Sequence, residues 1–336
     1  MSVVSEPIQA GRRGVGDRTV RVAMIGAGAM ATRVHYPSLA SFADVEIAAI
    51  CDLDPARLKA TADTYGVTRR YSDYRKMVAE VAPDAVYVIG PPQYMFDIWM
   101  WCLAEGQNLY IEKPMGLTMH QAQVLEYAAQ THNCITQVSF QRRVCPLAVA
   151  LRDECLKRGP MVHAVCRFYK RQISPFLDAR SHMMDDSTHA IDTLRWLCGG
   201  EVVEIQSATK RVGVPDINFI SATLHFDTGA HGFLLNSWSS GRRIFSVEMH
   251  APEICAEADL EDKGYLYADG DTAGVVYDTR TVAGSDEFYV HGGFRAKNRE
   301  FIDCLKAGTL PGSHFSDAIK TMAVAEKILA QSLLAG

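Results

Sequence analysis

The stretch Val20–Ala31 reads VRVAMIGAGAMA, an apolar run that enters a glycine-rich turn. Glycines at 26 and 28 and a small residue at 31 give the G-x-G-x-x-A pattern of a dinucleotide-holding strand–turn–helix. Gly26 permits the tight turn, Gly28 lets a pyrophosphate approach the backbone, and Ala31 allows helix and strand to pack closely. The helix N-terminus that follows favours phosphate charge. Gly26, Gly28, Ala29, Met30 and Ala31 are therefore candidate cofactor-binding residues.

Working outward, Val45–Cys51 (VEIAAIC) is a second buried-strand candidate, and Asp52 closes it 24 residues after Gly28. An acid there is placed to bond a ribose 2′-hydroxyl and would repel a 2′-phosphate. NAD is the expected cofactor. NADP is the alternative, because Arg57, Arg69 and Arg70 lie within reach in sequence. Asp54 and Pro55 then read as the cap and first turn of a helix. Further strands are expected at 84–90 (DAVYVIG), 108–114 (NLYIEKP) and 134–140 (CITQVSF), with helical stretches between them. Gly106 can end one helix, and Thr118 with Gln121 forms a capping-box pattern for another. Strands alternating with helices imply a parallel sheet covered on both faces, a doubly wound Rossmann-type α/β domain. Pro37 falls inside the first helix and should kink it, and His35 reads as a packed or surface histidine rather than a ligand.

The remainder changes character. A helix is expected from Pro146 to near Gly159, and another up to Gly199. Residues 203–280 are mostly strands, with a hairpin turn at Asp227-Thr228-Gly229. Two helices follow, near 294–307 and 316–334. This is an α+β domain with one large, open, mainly antiparallel sheet. The chain of 336 residues is thus expected to comprise a flexible tail (1–18), a cofactor domain (19–141) and a substrate and oligomerisation domain (142–336), with the terminal helices packing back on the first domain.

A formal net charge of -5 offers no basic face for nucleic acid, and no apolar run is long enough to span a membrane. Nine cysteines without a C-x-x-C pair suit reduced thiols and a cytoplasmic location better than disulfides or zinc. Arg12-Arg13 raises a twin-arginine signal, but neither an apolar core nor a cleavage site follows.

Chemistry is expected beyond the carboxyl ends of the strands, where GPPQ (Gly90–Gln93) and EKP (Glu112–Pro114) both fall. A residue before proline is driven to extended geometry, which holds Lys113 at the sheet edge. Gly90, Pro91, Pro92, Glu112 and Lys113 join the cofactor-site candidates. The second cluster is MMDDSTHAID, Met183–Asp192. On a helix Asp185, His189 and Asp192 share one face, and the stretch reads as a helix cap, a metal site or half of a catalytic centre. A cap accounts for one aspartate. A metal needs further ligands that are not apparent, so none is expected.

The segments GAGAMA, CDLD, GPPQ, IEKP, QRRVCP and D-x-x-x-H-x-x-D occur in the order seen in the Gfo/Idh/MocA oxidoreductases, which the chain resembles over about residues 20–334. The resemblance implies a Rossmann domain joined to an open-sheet domain, and hydride transfer between NAD(P) and a hydroxyl-bearing carbon of a sugar, cyclitol or related polyol. Residue by residue, it makes Lys113, Asp185 and His189 catalytic and often renders the Lys113–Pro114 bond cis. Arg143 and Asp192 become substrate contacts, with Tyr169 and Lys170 as further candidates. Three features depart from the family pattern. Met183, Met184 and Ser187 replace glycines around Asp185, Phe96 stands where many members carry histidine, and no second lysine or tyrosine is obvious beside the reacting centre.

In the catalytic reading His189, with an ordinary pKa near neutrality, takes the hydroxyl proton. Lys113 stabilises negative charge on the oxygen, Asp185 orients Lys113 or His189, and Asp192 and Arg143 hold neighbouring hydroxyls. Two rivals are a nucleotide-bound sensor without turnover and a relative that cleaves glycosides through transient oxidation. A homodimer or homotetramer is expected from the exposed sheet face.

Overall fold

The computed structural model describes residues 14–172 and 181–334, so most of the expected tail, including Arg12 and Arg13, lies outside the described residues. Val20–Ile25 forms β1, buried at five of its six positions. It sits inside a six-stranded sheet with β2 (Val45–Cys51), β3 (Arg70–Tyr71), β4 (Ala85–Val88), β5 (Leu109–Ile111) and β6 (Thr136–Val138), in the order β3-β2-β1-β4-β5-β6. All pairings are parallel. The short β3 carries no apolar run and gives no sequence signal. β4, β5 and β6 are shorter than their apolar runs, and the surplus residues form loops. Gly90, Glu112 and Lys113 therefore leave the sheet at its carboxyl edge, where open α/β sheets bind ligands.

The helices of this half are α1 (Tyr36–Ala40), α2 (Pro55–Thr64), α3 (Tyr74–Val81), α4 (Phe96–Ala104) and α5 (Met119–Thr131). Asp54 caps α2 by accepting from the N–H groups of Ala56 and Arg57. Thr118 accepts from the Gln121 N–H as a cap should, whereas the Gln121 Oε1 accepts from Leu117, one residue before the cap. The kink expected at Pro37 takes a specific form. Residues 31–35 make a wide π turn ahead of α1, in which the Tyr36 N–H reaches back to the Ala31 carbonyl. A proline ring crowds the carbonyl four residues earlier, and a widened turn relieves that crowding.

A second sheet follows α6 (Pro146–Leu156). Its strands are β7 (His163–Arg171), β8 (Val202–Lys210), β9 (Phe219–Phe226), β10 (His231–Ser237), β11 (Ser239–Ala251), β12 (Ile254–Asp259), β13 (Lys263–Ala268) and β14 (Val275–Asp278). Their order is β14-β13-β12-β11-β7-β10-β9-β8. Every pairing is antiparallel except β7 with β10. One face is apolar at alternate positions, as in Ala164, Cys166 and Phe168, and is covered by α6 and by α7 (Thr188–Cys198). Two short helices, α8 (Thr279–Ala283) and α9 (Phe288–His291), lead to α10 (Phe294–Ala307) and α11 (Phe315–Leu334).

The last two helices join the halves. α11 packs on α5 from the first half and on α7 and β8 from the second. α10 closes the other face of the parallel sheet, where Phe301 meets the stacked rings of Tyr87 and Tyr110 edge-on. Residues 14–18, expected to belong to a flexible tail, are instead tied down. The Val15 and Gly16 N–H groups donate to the carbonyls of Leu305 and Lys306 at the end of α10, and Arg18 pairs with Asp84. None of the nine cysteines is in a disulfide. Among the described residues no helix is long and apolar enough to cross a membrane.

Candidate active site

A cleft of about 1590 Å³ runs from the glycine turn to the covered face of the second sheet. At its first end Gly26 has φ +108°, and a Cβ there would stand 2.0 Å from the Ile89 carbonyl oxygen. Only glycine meets both conditions. A Cβ on Gly28 would meet nothing within 4 Å, so the backbone stands open there, as a pyrophosphate requires. Asp52 is anchored facing the turn: its Oδ2 accepts from the Ala27 N–H at 2.7 Å and its Oδ1 from the Asp54 N–H at 2.8 Å. One lone-pair direction on Oδ2 is left for a hydroxyl donor. Arg57 pairs with Asp52 at 3.1 Å, Arg70 pairs with Asp63, and neither Arg69 nor Arg70 lines the cleft. These residues fit NAD. Met30, Ala31, Gly90, Pro91 and Pro92 also line this part, as do Ser72 to Arg75, which run from the end of β3 into the first turn of α3 and carried no sequence signal.

Lys113 follows β5 and is joined to Pro114 by a cis peptide. Its Nζ donates to Asp185 Oδ1 at 2.8 Å and to the Asp185 carbonyl at 3.2 Å, and lies 3.6 Å from Asp186 Oδ1. Burial works against the ammonium charge, but the two aspartates outweigh it, and the Lys113 pKa is raised. Glu112, on the preceding position, accepts from His35 Nε2 through its Oε1 at 2.8 Å. His35 is fully buried, as a packed histidine should be.

Asp185 and Asp186 lie in a second π turn, Met183–Ser187, leading into α7. Asp186 receives Lys170 Nζ at 2.7 Å and Trp238 Nε1 at 2.9 Å, and with Lys113 these donors hold its pKa far below the usual range despite burial. His189, the second residue of α7, sits among the edges of Phe140, Phe168 and Phe245 at 6.4–6.5 Å between centroids. Burial, reinforced by the Lys113 and Arg142 cations, pushes its pKa well below the ordinary value. Its Nδ1 is buried without a partner among the described residues. Ordinary titration near neutrality, the sequence argument for His189, is therefore replaced by a persistently neutral imidazole.

Three expected substrate contacts lie elsewhere. Arg143 grips Asp192 with two bonds, at 2.7 and 2.5 Å, and also reaches Asp317 at 2.7 Å. Asp192, 1% exposed, further accepts from the Thr321 hydroxyl at 3.1 Å. The pair ties α7 to α11 and lines no part of the cleft. Tyr169 is excluded by strand alternation: Phe168 and Lys170 face the cleft, so the residue between them points to the other side of the sheet. Arg142 takes the position expected of Arg143, because the 3₁₀ turn Gln141–Val144 rotates successive side chains by a third of a turn. Arg142 and Arg243 share Glu261, each through Nη2 at 2.8 Å to Oε1. Burial opposes the Glu261 charge, yet the two arginines hold its pKa down at about 2. Arg142, Arg243, Phe168, Phe245 and Glu261 line the cleft and were not singled out in the sequence. Among the described residues no group of three or more His, Cys, Asp or Glu is arranged to hold a metal ion.

Residues 20–140 match the model described as "Oxidoreductase family, NAD-binding Rossmann fold", and residues 160–253 match the GFO/IDH/MocA C-terminal domain. The uncharacterized oxidoreductase YrbE of Bacillus subtilis is 24% identical over 64% of the chain, and the match spans 66% of YrbE, just under two thirds. The scyllo-inositol 2-dehydrogenase (NAD(+)) of Bacillus subtilis is 21% identical, with 88% of the chain and 89% of that protein covered. A dehydrogenase from Chromobacterium violaceum shares the fold at a TM-score of 0.86 and 21% identity, covering 95% of the chain and 96% of the other.

Proposed function

The chain belongs to the Gfo/Idh/MocA oxidoreductase family, and from that premise we propose that it transfers a hydride between NAD and a hydroxyl-bearing carbon of a sugar, cyclitol or related polyol. The observation that carries this reading is the 2.8 Å Lys113–Asp185 pair standing in the same cleft as the glycine turn and Asp52. The inositol substrate of a relative matched along nearly its whole length supports the substrate class. In this reading residues 19–141 serve the cofactor and residues 142–336 the substrate.

NAD, when bound, supplies the hydride acceptor at its nicotinamide ring. The rest falls to the protein. Gly28 and the N–H groups of the turn receive the pyrophosphate, and Asp52 holds the ribose. Lys113, kept protonated by Asp185 and Asp186, donates to the reacting oxygen and stabilises the negative charge that grows there. His189, kept neutral, accepts the hydroxyl proton as the C–H bond breaks. Imidazolium beside Lys113 and Arg142 is unfavourable, so the proton passes on to solvent and the imidazole returns to its resting state. Asp185 is a positioning residue that aims the Lys113 ammonium.

A spectrophotometric screen of sugars, cyclitols and sugar acids with NAD and NADP tests the reading. NAD reduction by at least one polyol is expected. Binding of NADH with no reduction by any of them would leave a nucleotide-bound protein without turnover. We further propose a homodimer or homotetramer in the cytoplasm, supported by the open face of the second sheet and the unpaired cysteines. Light scattering on the purified protein reads the assembly.

A further inference from the structure

Among the described residues, the substrate end of the cleft carries more positive charge than its carboxylates balance. Lys113, Lys170, Arg142 and Arg243 stand against Asp185, Asp186 and Glu261. Each lysine has an aspartate, at 2.8 Å for Lys113 and 2.7 Å for Lys170. The two guanidiniums have only Glu261 between them, and both Nη2 atoms converge on the same Oε1. Of the other charged groups lining the cleft, Glu112 is engaged by His35 and Arg33 lies over the Phe288 ring. Asp52, Arg57, Asp73 and Arg75 belong with the glycine turn, on or beside the loops after β2 and β3.

One positive charge is thus left over among the described residues, and it sits on the arginine pair. Donors are left over too. A guanidinium offers five N–H groups in a fixed fork, and the bonds of this pair to Glu261 use Arg142 Nη2 and Arg243 Nε and Nη2. The aromatic surface holds this fork in place. Arg142 lies 4.5 Å over the Phe245 ring and Arg243 5.7 Å from the Phe168 ring, and these same rings flank His189. The arginine pair and the proposed proton acceptor therefore share one wall.

The geometry points to a substrate that is itself an anion: a polyol bearing a carboxylate, as in aldonic or uronic acids, received by Arg142 and Arg243 while its reacting hydroxyl lies at Lys113. A carboxylate matches the planar fork and supplies a single negative charge for the single unmatched positive one. A phosphate ester would bring up to two charges and three oxygens to a pair already shared with Glu261. This inference rests on the dehydrogenase reading and names its substrate class.

The test is steady-state NAD reduction with matched pairs: glucose against gluconate and glucuronate, galactose against galacturonate, and glucose 6-phosphate beside them. The acid is expected to exceed its neutral partner in kcat/KM by about tenfold or more, the worth of a charge-assisted bond. Arg243→Gln, at a side chain half exposed to solvent and so tolerant of change, should reduce the acid-to-neutral ratio by about tenfold, and Arg243→Lys should restore part of it. Neutral sugars used as well as the acids, an unchanged ratio in R243Q, or preference for the phosphate ester would overturn the carboxylate assignment and leave the dehydrogenase reading standing. No reduction by any member of this set or of the wider sugar, cyclitol and sugar-acid screen, with NADH still bound, would overturn both.

Discussion

Lys113 Nζ and Asp185 Oδ1 stand 2.8 Å apart although 72 residues separate them in the chain. One residue leaves the parallel sheet after β5, and the other lies in the π turn before α7. Neither half can make the pair alone. Lys113→Met removes the donor proposed for the reacting oxygen and leaves Asp185 and Asp186 short of their shared cation. Turnover is expected to fall by about 10²–10⁴, with NADH affinity kept within a few-fold. Parallel rate measurement and fluorescence titration read the two quantities. Turnover near the wild-type level would refute the role of Lys113.

His189 gives a pH signature. Its folded pKa lies well below 6.5 because burial, and then Lys113 and Arg142, oppose the imidazolium. The neutral form that accepts a proton therefore persists as pH falls below 6.5. The profile of kcat/KM for oxidation should show no half-point near 6.5. Stability moves the other way. The unfolded chain binds the proton first, so the contribution of His189 is present above pH 6.5 and is lost as pH falls below it. Denaturant midpoints at pH 7.5 and 5 should differ less in His189→Asn than in wild type.

Arg143 and Asp192 should behave as structure. Asp192→Asn leaves Arg143 with Asp317 as its one carboxylate partner among the described residues, and breaking a buried pair costs about 3–5 kcal/mol. Urea unfolding should record that loss, while KM in the surviving folded protein changes little. A large KM rise without destabilisation would return the pair to the substrate.

The two glycines of the turn should separate folding from binding. Gly26→Ala drives a Cβ into the Ile89 carbonyl and is expected to lower Tm strongly. Gly28→Ala meets open space, so Tm should hold while NADH binding weakens. Equal effects on Tm would contradict the assignment of Gly28 to the pyrophosphate.

Asp52 should decide between the cofactors. NADH is expected to bind more tightly than NADPH, and Asp52→Ala should weaken NADH by about tenfold while narrowing the difference between the two. Fluorescence titration of both proteins checks this. Tighter NADPH binding by wild type would show that Arg57 leaves Asp52 for a phosphate.

The parallel sheet was legible because each of its main strands is an apolar run bounded by a turn residue, and β1 and β2 coincide with their runs. The glycine turn, Asp52 and Lys113 were legible for the same reason: each sits at a strand end, where direction is dictated by the sheet. What escaped lies where direction depends on local winding. A 3₁₀ turn exchanges the positions of Arg142 and Arg143, and one residue of strand parity removes Tyr169 from the cleft. β3 escaped because two residues carry no period. Neutral His189 escaped because its pKa is set by neighbours brought together only in the fold.

Phe301 on Tyr87 and Tyr110 also carries a consequence for synthesis. Residues 20–138 hold every strand of the parallel sheet, but the cover over Tyr87 and Tyr110 on one face is completed only by α10, more than 150 residues later. At about 5–20 residues per second on the ribosome, two buried tyrosines wait on the order of ten to thirty seconds for their lid. The nascent first half therefore shows an apolar face to the cell well before it is finished. A fragment ending after β6 would keep that face for good, and would meet chaperones as a client rather than the cofactor as an enzyme.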